Sequence, residues 1–92
     1  MIYGQTKIAT ANTAVAVLAA NGPYVAKLVL KALATNTTPL VVATSAVTSA
    51  ADGTGNGFIL LPGDIHTLDN PGTSGIFVNG ATAGDILTFT GA

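Results

Sequence analysis

Apolar and polar side chains alternate along several short segments of the chain, and this alternation is typical of β-strands. Residues 24–33 show it most clearly. One face of this segment is apolar and the other carries two cations: Leu28, Leu30 and Ala32 against Lys27, Val29 and Lys31. Because successive side chains of a strand point to opposite faces of the sheet, we expect the first set in the core and the second outside.

Turn-forming residues separate the apolar segments at short and fairly even intervals, as at Asn21-Gly22-Pro23, Pro62-Gly63-Asp64 and Ala83-Gly84-Asp85. Many short strands joined by such turns are typical of an antiparallel sandwich or barrel. We therefore predict an all-β fold, a single small antiparallel β-sandwich or jelly-roll-like barrel of about eight short strands. The predicted strands are 3–9, 13–19, 24–33, 39–47, 57–61, 65–69, 75–79 and 85–90.

Two segments leave alternatives open. Residues 1–12 have few bulky side chains, and we expect them to form an N-terminal arm or an edge strand beside a β-sandwich domain at 13–92. Removal of residues 1–10 is expected to leave the fold intact. The segment 40–51 fits either a strand followed by a loop or a short Ala-rich helix, and its valines favour a strand in the first half.

The segment GFILLPGD, at residues 57–64, sets four apolar side chains against an abrupt turn. We expect Phe58 and Leu60 to fill the core face, and Ile59 and Leu61 to meet a neighbouring layer or a partner subunit. The proline that follows has no amide hydrogen, so strand pairing should end there.

The predicted strand at 75–79 is also apolar on both sides. Ile76 and Val78 share one face, and Phe77 and Asn79 share the other. A strand of this kind must be covered on both faces, either by its own chain or by another protein.

Charge and cysteine content narrow the function classes. Of the 92 residues 49% are apolar and 8% are charged, the net charge is −1, and there is no Cys. Three lysines without a basic stripe give little to neutralise phosphates, so we expect neither nucleic-acid binding nor attachment to a membrane surface. We expect no targeting segment, because Lys7 is the only basic residue before the apolar stretch at 14–20.

Two short motifs contain residue types that bind metals. Residues 52–57 imitate the opening of a calcium loop, but Gly63 stands where a bidentate Glu is needed. Asp64 and His66 place a carboxylate and an imidazole on one face, yet no second cluster completes a zinc site. An Asp after Pro-Gly is instead expected to accept hydrogen bonds from nearby backbone amides. We predict no metal site and no cofactor.

The chain offers no constellation for catalysis. It has one His, no Gly-x-Ser-x-Gly nucleophile motif, and three of its four Asp residues in turn contexts. We therefore predict no catalytic residues and no enzyme activity. The candidate functional residues are apolar side chains expected to be exposed or half-exposed in a protein interface: Tyr3, Tyr24, Val29 and Phe77.

Several stretches between residues 27 and 90 follow one another in a recognisable order. They are KLVLKA at 27–32, NT at 36–37 leading into LVVA at 40–43, GNGFILLPGD at 55–64, LDN at 68–70, IFVNGA at 76–81 and GDILTF at 84–89. This order resembles the small β-sandwich virion structural proteins of tailed bacteriophages.

The resemblance implies a capsid decoration (cement) protein that is made in the host cytoplasm and displayed on the capsid surface of the virion. Its implied partners are the major capsid protein and itself, as a homo-oligomeric dimer or trimer. The alternative is a small β-sandwich binding module of a phage fibre or tail that recognises host-surface carbohydrate; the scarcity of aromatic residues disfavours it. With a net charge of −1, docking is expected to be mainly apolar and insensitive to moderate salt.

Overall fold

The structure is a computed structural model that describes residues 2–19, 21–22, 24–44, 46–50, 54–73 and 75–92. It contains eight strands, and the prediction of an all-β fold is confirmed. The strands are β1 (Ile2–Lys7), β2 (Val15–Leu18), β3 (Val25–Ala32), β4 (Leu40–Ala43), β5 (Phe58–Leu60), β6 (Ile65–Gly72), β7 (Ile76–Gly80) and β8 (Ile86–Gly91). The described residues include no helix that is long and apolar enough to cross a membrane.

The strands form two four-stranded antiparallel sheets. The first sheet has the order β1-β8-β3-β6, and the second has the order β2-β7-β4-β5. The main core cluster draws on both sheets, as in a small β-sandwich, and the predicted faces of β3 are correct. Its buried members are Ile8, Val25, Leu28, Leu30, Ala32, Leu40, Val42, Leu60, Ile76, Val78 and Leu87.

The N-terminal segment is an edge strand of the first sheet. Strand β1 pairs with β8 over six residue pairs, from Ile2–Gly91 to Lys7–Ile86. The next residue, Ile8, is only 1% exposed within the core. Removing residues 1–10 would take this side chain out of the core, so from the structure we expect that deletion to destabilise the fold.

Strand β4 ends earlier than predicted, at Ala43, because the chain turns away from the sheet. The amide of Val47 donates to the carbonyl of Thr44 at 3.0 Å, the bond between the first and fourth residues of a tight turn. The described residues that follow contain no helix, so the strand interpretation of the first half of 40–51 is confirmed.

The segment after β4, residues 44–57 as far as they are described, lies over the outer side of the second sheet; we name it the covering loop. Val41 and Asn79 point away from the core, yet they are 0% and 4% exposed. Val47 of the covering loop is itself buried. A methyl group built on Gly57 would lie 2.7 Å from Cγ1 of Val41, so the backbone of the loop touches this side chain directly. The chain thus covers this part of the second sheet itself.

Strand β5 shows the predicted two faces. Leu60 is buried and Phe58 packs against the core cluster, which confirms the predicted core face. Ile59 and Leu61 are exposed instead of lying under a neighbouring layer of this chain.

Candidate protein-binding face

The outer face of the first sheet is an ordered array of exposed and half-exposed side chains. Paired residues of antiparallel strands lie side by side on the same face of the sheet. Strand register therefore gives two rows across all four strands: Tyr3, Thr90, Val29 and Thr67, and then Gln5, Thr88, Lys31 and Ile65. We call this surface the outer face.

All three lysines of the chain belong to the outer face. Lys27 and Lys31 alternate with the buried leucines of β3, and Lys7 follows the buried Thr6. Lys27 is paired in register with Asp69 of β6. Three ammonium groups against this one carboxylate leave a surplus of positive charge on a chain whose net charge is −1.

The other described aspartates lie elsewhere. Asp64 is in the turn that joins the two sheets between β5 and β6, and Asp85 is buried before β8. Asp52 lies outside the described residues. The sign of the charge on the outer face is therefore opposite to that of the whole molecule.

A shallow groove of about 220 Å³ crosses the outer face. The groove is lined by one lysine, two threonines, two aliphatic residues and one aromatic residue. They are Lys31, Thr88, Thr90, Val29, Ile65 and Phe89. The hydroxyl of Thr88 donates to the carbonyl of Lys31 at 3.3 Å, which ties β8 to β3 beneath the groove. Such a groove can hold an apolar side chain and a carboxylate together.

The predicted interface residues separate into different places. Tyr3 is 77% exposed and shares a row of the outer face with the half-buried Val29. Tyr24 is exposed at the start of β3, where its hydroxyl donates to Oδ1 of Asn70. Phe77 lies on the opposite side of the molecule, on the outward side of the second sheet. A single flat interface cannot therefore contain both Val29 and Phe77.

Phe77 is the centre of a smaller apolar patch. Its register partners are Ala16 of β2 and Ala43 of β4, and all three point away from the core. The covering loop lies over the neighbouring row that contains Val41 and Asn79. Since Ala16 is exposed and the other two members are half-buried, this end of the second sheet presents apolar surface to its surroundings.

Asp85 is a structural carboxylate that sequence analysis placed only in a turn. Its two oxygens accept hydrogen bonds from the backbone amides of Thr37 and Thr38, at 2.9 and 3.0 Å, and from the Thr38 hydroxyl at 3.1 Å. Burial alone would raise the pKa of Asp85, but these three bonds together lower it. Asp85 thus fixes the loop between β3 and β4 against the start of β8.

In the candidate zinc motif, both Asp64 and His66 contact other groups of the chain. The carboxylate of Asp64 accepts a hydrogen bond of 3.0 Å from the Leu61 amide, as expected for an Asp after Pro-Gly. The ring of His66 packs against Phe58 with centroids 4.5 Å apart. Among the residues that the structure describes, no three potential ligands lie together as a metal site.

The first part of the calcium-like motif, Asp52 and Gly53, lies outside the described residues. Within its described part, the side chain of Asn56 accepts from the amide of Thr48 at 3.0 Å and donates to the carbonyl of Ala46 at 2.8 Å. These bonds hold the covering loop together and give Asn56 a structural role.

Sequence analysis did not predict that all three lysines lie on the same face of the first sheet. The alternation within 24–33 put Lys27 and Lys31 on one outer face, but it could not place Lys7 beside them without the strand order. The net charge did not reveal the surplus of positive charge on the outer face, because it is summed over the whole chain.

No family model, curated protein or solved structure matches this chain.

Proposed function

We propose that this protein is a non-enzymatic structural protein of a tailed-bacteriophage virion, and specifically a capsid decoration protein. In this role it binds the major capsid protein and stabilises the head. The order of sequence motifs between residues 27 and 90 supports the class of protein. The observation that carries a docking role is the outer face, where one side of a four-stranded sheet is left open.

A decoration protein acts by adding binding free energy across the joints between capsid subunits. It needs a rigid surface, because ordering a flexible surface on binding costs free energy. The β-sandwich provides this rigidity, since the side chains beneath the outer face belong to the buried core cluster. Leu28 and Leu30 alternate with the outward Val29, so the same strand serves the core and the outer face.

The apolar patch around Phe77 supplies a second surface on the opposite side of the molecule. We assign it to self-association, which leaves the outer face free for the capsid. An oligomer then presents several copies of the outer face to a symmetric shell, and simultaneous engagement strengthens attachment without new kinds of contact.

The test is co-sedimentation of the purified protein with capsids of the parent phage that lack it, followed by cryo-EM of the decorated particles. We expect saturable binding, density on the capsid exterior and a higher temperature of capsid rupture. Failure to bind capsids, together with selective binding to a glycan array, would instead support a fibre or tail module that recognises carbohydrate.

A further inference from the structure

We propose that the outer face binds an acidic surface segment of a protein partner, with carboxylates meeting Lys31 and Lys7 and an apolar side chain entering the groove. This inference rests on the proposed function in so far as the major capsid protein is the expected partner. It changes the expected chemistry of docking from mainly apolar to partly electrostatic.

The distribution of charge is the first support. The outer face carries every lysine of the chain and, among the described residues, one aspartate, so an acidic partner is its electrostatic complement. Lysines on edge strands often serve to prevent unwanted strand pairing. That explanation covers Lys7 on β1 but not Lys27 and Lys31, because β3 has a neighbouring strand on each side.

The groove is the second support. Lys31 lies between Thr88 and Ile65 in its row, so it has a threonine on one side and an aliphatic residue on the other. A carboxylate can accept hydrogen bonds from the ammonium group of Lys31 and from the hydroxyl of Thr90, because the hydroxyl of Thr88 already donates to a backbone carbonyl. Val29 and Ile65 offer apolar contact in the same groove. A protein segment supplies both kinds of group within a few residues.

A nucleic acid fits the same surface less well. Duplex DNA carries about one negative charge per 1.7 Å of its axis, and affinity grows with the number of phosphates neutralised. Three lysines, one of them beside Asp69 in the strand register, neutralise few phosphates, and the aliphatic wall of the groove has no counterpart on a phosphate backbone.

The experiment compares the full-length protein with two double variants of equal net charge. The test variant is Lys7→Gln with Lys31→Gln, and the control is Thr35→Glu with Ala81→Glu, which places the same charge change at exposed sites in the connections after β3 and β7, outside the outer face and the patch around Phe77. Thermal melting first establishes that each variant is folded. Binding is measured to parent-phage capsids, to poly-L-glutamate and to duplex DNA at low and high salt, and amide NMR shifts map the poly-L-glutamate contact.

We expect the test variant to bind capsids about tenfold more weakly than the control, a difference of about 1.4 kcal/mol, because two exposed ion pairs with the partner are lost. Added salt should weaken the wild type, and poly-L-glutamate should shift amides of β3 and β8 on the outer face. Capsid binding that is equal for the two variants would overturn the inference while leaving the proposed function in place.

Two further outcomes separate the proposals. Binding of poly-L-glutamate at the outer face without any binding to capsids would support the inference and refute the proposed function. DNA binding as tight as poly-L-glutamate binding, and equally weakened by Lys7→Gln with Lys31→Gln, would overturn the assignment of a protein partner.

Discussion

Asn79 donates a hydrogen bond of 2.9 Å from its side-chain amide to the backbone carbonyl of Val47, so the second sheet holds the loop that covers it. Oδ1 of the same side chain accepts a bond of 2.8 Å from the amide of Gly80. Both bonds are buried, and a buried polar group that loses its partner costs more than an exposed one. This relationship explains how Val41 can point away from the core and still be shielded from water.

We expect Asn79→Ala to lower the free energy of unfolding by about 1–3 kcal/mol, because it leaves the carbonyl of Val47 without its partner. Urea denaturation monitored by circular dichroism measures this loss. Asn56→Ala is the control, since that exposed side chain also bridges two backbone groups but water can replace it. An equal loss in both variants would contradict the importance of burial.

Asp85 should make the folded protein sensitive to acid. Its pKa lies below the ordinary value of 3.8, because three hydrogen bonds outweigh the opposing effect of burial. A carboxyl group whose pKa is lower in the folded than in the unfolded state stabilises the fold above the unfolded value. That stabilisation is lost as the pH falls from about 4 through the folded pKa.

The measurement is the free energy of unfolding at pH 6 and pH 3 for the wild type and Asp85→Asn. We expect the variant to be less stable at pH 6, because the amide cannot accept all the bonds of the carboxylate. The difference between the two pH values should also be smaller in the variant. Parallel pH profiles for the two proteins would show that Asp85 does not cause the acid sensitivity.

Ile8 tests whether the N-terminal segment belongs to the core. Ile8→Ala should cost about 2–5 kcal/mol of stability, as expected for a fully buried aliphatic side chain. Ile65→Ala is the matched control, because Ile65 is 63% exposed and its truncation should change stability by about 0.5 kcal/mol or less. Deletion of residues 1–10 should prevent folding; a deleted form with a wild-type melting temperature would refute this prediction.

The patch around Phe77 predicts the effect of a charge on self-association. Phe77→Asp should prevent the proposed self-association, because every copy would then have to bury an unpaired carboxylate among alanines such as Ala16 and Ala43. Tyr3→Asp, on the opposite sheet, should leave the mass unchanged. Light scattering gives the mass, and a melting curve establishes that each variant is folded. Wild-type mass for Phe77→Asp would exclude this patch as the interface.

Local alternation was enough to predict the strands and much of the core. In β3 the apolar and polar positions follow a period of two, and Leu28, Leu30 and Ala32 are all fully buried as expected. The same rule placed Phe77 and Asn79 together on an outward face. It could not show that one of them is half-exposed and the other buried, because the path of the covering loop depends on contacts distant in sequence.

The site was harder to predict because its parts come together through strand order. Lys7 and Lys31 lie in strands β1 and β3, which are joined only through β8. The hydrogen bonds of Asp85 reach Thr38, which is 47 residues away in sequence, so no local signal marks them. A turn preference explains Asp64, whose partner is three residues away, but it cannot find such distant pairs.

The position of β8 in the first sheet also sets the order in which the molecule can fold. This strand comes last along the chain yet lies between β1 and β3. Until β8 pairs, β1 has no neighbouring strand in the first sheet, while β3 and β6 can already form a two-stranded ribbon. Closing a loop from β1 to β8 spans most of the chain, and pairings so distant in sequence slow folding to about milliseconds to seconds. We therefore expect the outer face to be completed late in folding, by the insertion of β8.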